Sequence, residues 1–91
     1  MPKKPRPKKP AAQKSQTRPE NEAVLAALKA VREDADLLQA ELATRLHRSQ
    51  SYVSSAERGV IRLDALQLAD WAEACGLTLT KLAQVIEAGW R

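Results

Sequence analysis

The chain has 91 residues with one cysteine and one histidine, and 15 Lys+Arg against 11 Asp+Glu give it a formal charge of +4. That length holds one small domain, and a lone cysteine excludes an internal disulfide. No apolar run approaches the ~20 residues of a membrane span, no Cys/His cluster has metal-ligand spacing, and one His and one Cys assemble no nucleophile–base pair.

The charge is unevenly divided. Residues 1–19 carry seven basic residues, no acid and all five prolines, whereas residues 20–91 carry eight basic and eleven acidic residues. Residues 1–18 therefore read as a basic tail, disordered over 1–16, because prolines lack backbone donors and the lysines repel one another. Such a tail can hover near a polyanion. A bare linker or solubilising leader is the plain alternative, and Pro-Lys-Lys-Pro-Arg-Pro-Lys-Lys also has the flavour of a nuclear localisation signal. No hydrophobic stretch follows the basic residues, so a secretory signal is not expected and a reducing cytoplasm fits.

Residues 19–91 read as one domain. Val24, Leu25, Leu28 and Val31 recur at helical spacing. Thr17 or Asn21 is the candidate N-cap, Pro19 and Glu20 fit the first turn, and the helix should end near Asp34. Asp36 stands where a left-handed residue would break the chain. A second helix, Leu38 to Leu46, places Leu38, Leu42, Ala43 and Leu46 on one side. His47-Arg48-Ser49 interrupts it, Ser49 caps a third segment from Gln50 to Arg58, and Gly59 stops that segment. Two short helices joined by about three residues have helix-turn-helix spacing. Asp64 then caps a helix to Cys75, closed by Gly76, and Thr78 caps a last helix from Leu79 to Ala88. With no β pattern, the expectation is an all-α, five-helix domain.

Segment 50–58 has two contrasting faces. At 100° per residue, Gln50, Ser51, Ser54, Ser55 and Arg58 span a sector of about 140°, with Val53 and Ala56 opposite. A merely solvated face would more often carry Glu and Lys. Gln and Ser can donate to and accept from base edges, and Arg reaches phosphate or guanine. Arg45, Arg48, Arg58 and Arg62 surround the segment, with Glu57 the only acid between 45 and 62. A basic surface on an otherwise acidic domain is what phosphates require.

Residues 24–87 resemble the Cro/phage-repressor family of helix-turn-helix regulators, also called the XRE or lambda-repressor-like family. The matching residues are Gln39-Ala40-Glu41-Leu42-Ala43, Leu46, Ser49-Gln50-Ser51-Tyr52-Val53-Ser54 and Glu57-Arg58-Gly59. Leu63-Asp64 and Leu68 through Ala72 to Gly76 continue the match. The resemblance implies a compact lambda-repressor-like domain that binds double-stranded DNA. It also implies roles: Gln50, Ser51 and Ser55 at base-reading positions, with Ser54 beside them near the DNA. Gln39, Arg48, Ser49, Tyr52, Arg58 and Arg62 would lie along phosphates. Arg32 and Glu57 match an internal salt bridge between the first and third helices. The family commonly dimerises near its last helix, which makes Leu82, Val85, Ile86 and Trp90 interface candidates.

This sequence departs from the family pattern in places. Leu38 stands where a Ser or Thr cap is usual, so Asp36 or Gln39 would have to satisfy the second helix's amides. His47 replaces a turn Gly and needs positive φ. Cys75 replaces a larger aliphatic, whose volume Trp71 is placed to fill. The expected function is sequence-specific transcriptional regulation, as a repressor in the cytoplasm (nucleoid), without cofactor, metal, membrane or enzymatic activity. The alternatives are an antitoxin-type module with a protein partner, which also regulates its own operon, and a non-specific nucleoid-associated binder.

Overall fold

The computed structural model describes residues 18–90; the reading of residues 1–16 as disordered lies outside them. Five α-helices follow one another: α1 (Pro19–Asp34), α2 (Gln39–Leu46), α3 (Gln50–Arg58), α4 (Ala65–Ala74) and α5 (Leu79–Gly89). No strand occurs among the described residues.

Capping chemistry sets most of the starts. Ser49, Asp64 and Thr78 accept, through their side chains, the N–H of Tyr52, Gln67 and Lys81, and Gln67 reaches back to the Asp64 N–H. Two starts differ from the sequence expectation. Helix α1 begins at Pro19 after Arg18, whose backbone is extended and whose side chain does not cap. Asn21 lies inside the first turn, and Thr17 lies outside the described residues. Proline at the first helical position lacks an amide that would be orphaned there anyway, and Glu20 and Glu22 complement the positive end of the helix. At α2 neither Asp36 nor Gln39 supplies the cap. Glu41 reaches back instead and accepts the Leu38 N–H at 2.8 Å.

The first four helices end alike. Asp36, His47, Gly59 and Gly76 have φ of 58°, 56°, 80° and 83°. The next residue's N–H then turns back onto the last helical turn: Leu37 to Arg32 O, Arg48 to Ala43 O, Val60 to Ser55 O and Leu77 to Ala72 O. Both non-glycine positions are those expected to take the left-handed conformation.

The core takes one large, fully buried side chain from every helix: Leu28, Leu42, Val53, Trp71 and Leu82. Each contributes roughly 1.5–3 kcal/mol by leaving water. The Trp71 indole N–H donates to the Leu28 carbonyl at 3.1 Å and pins α4 to α1. Helix α5 packs on α1 and α4, α3 packs on α1 and α2, and α2 packs on α4. This arrangement corrects the interface expectation for Leu82 and Ile86. Both are buried in the chain's own core, because α5 lays its apolar stripe across α1 and α4. Val85 is half-buried, and Trp90 remains 42 % exposed at the end of α5. Helix α5 also runs one residue further than expected. Gly89 is helical, and a Cβ there would sit 3.3 Å from the Ala23 methyl. Among the described residues, no helix is long and apolar enough to cross a membrane.

Candidate nucleic-acid interface

Helix α3 is anchored by its apolar side. Val53 and Ala56 are buried, which turns the opposite face to solvent. Gln50, Ser51 and Arg58 are exposed there, while Ser54 and Ser55 are half-buried. With Gln39 from the start of α2, these five side chains line one shallow depression of about 350 Å³. The fold therefore gathers all four candidate base-reading residues and two of the phosphate candidates.

Glu57 belongs to the same helix but points inward. Its side chain is 5 % exposed and forms a two-point bridge with Arg32, at 2.6 and 3.1 Å. Arg32 also donates to the Leu37 carbonyl at 2.8 Å. Hydrogen bonding to Glu57 holds the Arg32 pKa above its ordinary value, against the opposing effect of burial. Gln39 donates its amide to the same Glu57 carboxylate at 3.0 Å. One buried carboxylate thus fixes α1, α2 and α3 against each other and orients a residue at the edge of the depression. Its inward turn also removes the only acid of segment 45–62 from the exposed face.

The other arginines divide by position. Arg58 donates from Nε to the Ser54 hydroxyl at 3.2 Å, one turn back along α3. The Arg48 guanidinium lies over the Tyr52 ring, 4.3 Å from its centroid. Tyr52 is half-buried, and burial pushes its phenol pKa up. Arg62 faces a second depression with Arg18, Glu20, Asn21, Val24 and Trp90, away from the α3 set. Arg45, grouped by sequence with the basic surround of α3, points elsewhere. It donates to the Ala74 carbonyl at the end of α4 and lines a hollow with His47, Asp70 and Glu73.

Comparison with known proteins places this geometry. A helix-turn-helix family model matches residues 28–82, from the middle of α1 into α5. The chain belongs to the Cro/C1-type helix-turn-helix (XRE) family. It is similar to the crystal structure of the clp gene regulator ClgR from Corynebacterium glutamicum, at 28 % identity and TM-score 0.72 over 79 % of this chain and 94 % of that one. A second ClgR structure gives 29 % identity and TM-score 0.69, over 76 % of this chain and 73 % of that chain. An XRE-family like protein from Pseudomonas syringae pv. tomato shares 35 % identity and TM-score 0.71, over 79 % of this chain and 88 % of that one. Comparison with curated proteins gave no match.

As a member of the XRE family, the chain is a DNA-binding transcription regulator. Of the resemblance read over residues 24–87, the family match covers residues 28–82, and the all-α, five-helix expectation holds. Two features of the site escaped the sequence reading. Glu41 caps α2, although Leu38-x-x-Glu41 has the spacing of half a capping box. Gln39 is tied to Glu57, a contact between residues 18 apart that no local pattern announces. Among the described residues, no group of three or more His, Cys, Asp or Glu is placed to hold a metal ion.

Proposed function

We propose that this XRE-family chain is a sequence-specific repressor that reads the major groove with α3 and binds as a two-fold dimer. The observation that carries the reading is the α3 surface. Amide and hydroxyl side chains are gathered in one depression, arginine stands beside them, and the carboxylate of α3 is turned into the core. Gln50, Ser51, Ser54 and Ser55 take the base edges, whose donor and acceptor pattern such side chains match. Gln39, Arg48, Ser49, Arg58 and Arg62 take phosphates and fix the docking register, with the Tyr52 ring beneath Arg48. The amides at the capped start of α3 favour a phosphate there.

Two α3 helices reading adjacent major grooves would lie about one helical turn, ~34 Å, apart. Exposed Trp90 and half-buried Val85 are the remaining candidates for holding the two copies together. Occupation of a promoter by the dimer would exclude polymerase, which is the basis for assigning repression. The protein would act on the chromosome, in the cytoplasm. The basic tail adds sequence-independent affinity through counterion release.

The test is fluorescence anisotropy with the full chain at two salt concentrations, on its own promoter region and on a scrambled duplex. The reading predicts a preference of ~10³ or more that survives the higher salt. Equal binding to both duplexes, followed by failure of a random library to enrich any sequence, would refute sequence-specific reading and leave a non-specific binder. Deletion of residues 1–16 should flatten the salt dependence while leaving the preference mostly unchanged. Loss of the preference would transfer the reading to the tail.

A further inference from the structure

Arg48 lies just ahead of α3, at the positive end of that helix. A cation is disfavoured there, and a long side chain on the surface has many rotamers to lose. Its backbone is fixed, because the Arg48 N–H donates to the Ala43 carbonyl at 2.9 Å. Its guanidinium makes no hydrogen bond to any described residue and instead rests over the Tyr52 ring at 4.3 Å. That ring has a firm mount. Tyr52 packs against the core, and its own N–H is held by the Ser49 carbonyl and hydroxyl at 3.1 and 3.2 Å.

The geometry separates two roles within the pair. The N–H donors of a guanidinium lie in its plane, so a ring beneath one face restrains the group without consuming any of them. The phenol hydroxyl likewise makes no hydrogen bond to a described residue, and burial pushes its pKa up. It is therefore the competing candidate for the same phosphate.

We propose that Tyr52 is a positioning residue for Arg48: its ring holds the guanidinium at the start of α3 with its donors free, and Arg48 takes the DNA phosphate. The proposal rests on the reading of α3 as the DNA-facing helix. The ring acts only through Arg48, so its removal has no effect once Arg48 is gone. Lysine would be a poor replacement, since an ammonium has neither the planar face for the ring nor the edge for a phosphate.

The experiment uses the full chain and the duplex that the wild-type chain enriches from a random library. Tyr52→Phe, Tyr52→Leu, Arg48→Ala and the Arg48→Ala/Tyr52→Leu double variant are compared by anisotropy over a salt series. The expectation is that Tyr52→Phe binds within about twofold of wild type. Arg48→Ala and Tyr52→Leu should each weaken binding about five-fold or more, Arg48→Ala reducing the salt slope by about one. The double variant should bind no worse than Arg48→Ala. Proton NMR of the free protein guards against a mere folding defect. The Arg48 side-chain protons should be shifted upfield by the ring in wild type and Tyr52→Phe, and released in Tyr52→Leu.

Three results overturn the proposal. Tyr52→Phe could lose as much as Tyr52→Leu, which makes the hydroxyl the contact. The two losses could multiply in the double variant, which makes the residues independent. Arg48→Ala could leave affinity and salt slope unchanged, which removes the phosphate contact. Failure of the wild-type chain to enrich any sequence would instead strike the reading of α3 beneath it.

Discussion

Helix α3 and the frame of α1, α4 and α5 use their outward faces in opposite ways. The frame leaves Glu33, Asp34, Asp70, Glu73 and Glu87 exposed. Helix α3 exposes Gln50, Ser51 and Arg58, and its one carboxylate is buried against Arg32. Both regions are built on the same kind of apolar anchor, so packing does not explain the difference. Charge does. An acidic frame is repelled by a polyanion and a helix with no carboxylate on its outward face is not, which supports the proposed docking through α3. Glu57 is where the regions meet: it faces the frame from α3 and holds Gln39 at the margin of the depression.

Breaking that junction should have the largest effect. Glu57→Ala leaves the Arg32 charge buried without its partner and releases Gln39, and should destabilise the fold by ~3–5 kcal/mol. Urea denaturation measures this directly. Glu57→Gln keeps the shape and an acceptor oxygen and should be hurt less. A loss below ~1 kcal/mol for Glu57→Ala would mean that the two regions are held together by apolar packing alone.

A change confined to the proposed reading surface should behave in the opposite way. Gln50 is exposed and takes no part in the core. Gln50→Ala should leave the urea midpoint unchanged and lose ~1–3 kcal/mol of discrimination at one base pair. Binding to a panel of single-base variants of the enriched duplex would show it. A uniform loss on every duplex would make Gln50 a backbone contact.

The two regions were also unequally legible in the sequence. Local rules carried the helices and most of their ends. The spacing of Leu28, Leu42 and Val53 located the buried stripes, and Asp36, His47, Gly59 and Gly76 marked the left-handed turns. The grouping of Gln50, Ser51, Ser54, Ser55 and Arg58 followed from helical geometry once α3 was placed. Contacts between distant segments did not follow. An apolar stripe on α5 looks the same whether it covers a core or a partner, and only its docking on α1 and α4 decides for Leu82 and Ile86. Arg45 was counted with α3 by proximity along the chain, yet it reaches the Ala74 carbonyl 29 residues away.

Glycine substitutions compare the regions at a smaller scale. Gly59 closes α3 and Gly76 closes α4, at nearly the same φ. Alanine is strained at either position, by ~1–2 kcal/mol. At Gly76 a new Cβ meets nothing within 4 Å. At Gly59 it would lie 3.0 Å from the Leu25 Cδ1, so that methyl must move as well. Gly59→Ala should therefore be the more destabilising of the two in parallel thermal melts. Equal losses would show that Leu25 yields freely and that backbone strain alone matters.

The smallest expected effect belongs to the frame and depends on pH. Cys75 is 8 % exposed, and burial pushes its thiol pKa up, against the smaller pull of Arg45 and Arg32. The native state therefore resists the thiolate, which the unfolded chain forms with a pKa of about 8.5. Stability from this group is complete below that value and declines as pH rises from there through the higher native pKa. The slope is at most ~1.4 kcal/mol per pH unit for one group. Cys75→Ala lacks the linkage, so the stability difference between wild type and Cys75→Ala should shift against wild type from pH 8 to pH 10. Tyr52, also raised by burial, acts in the same direction in both proteins and cancels in that difference. Identical pH profiles would place the thiol in contact with water, and rapid alkylation of the folded protein at pH 8 would confirm that.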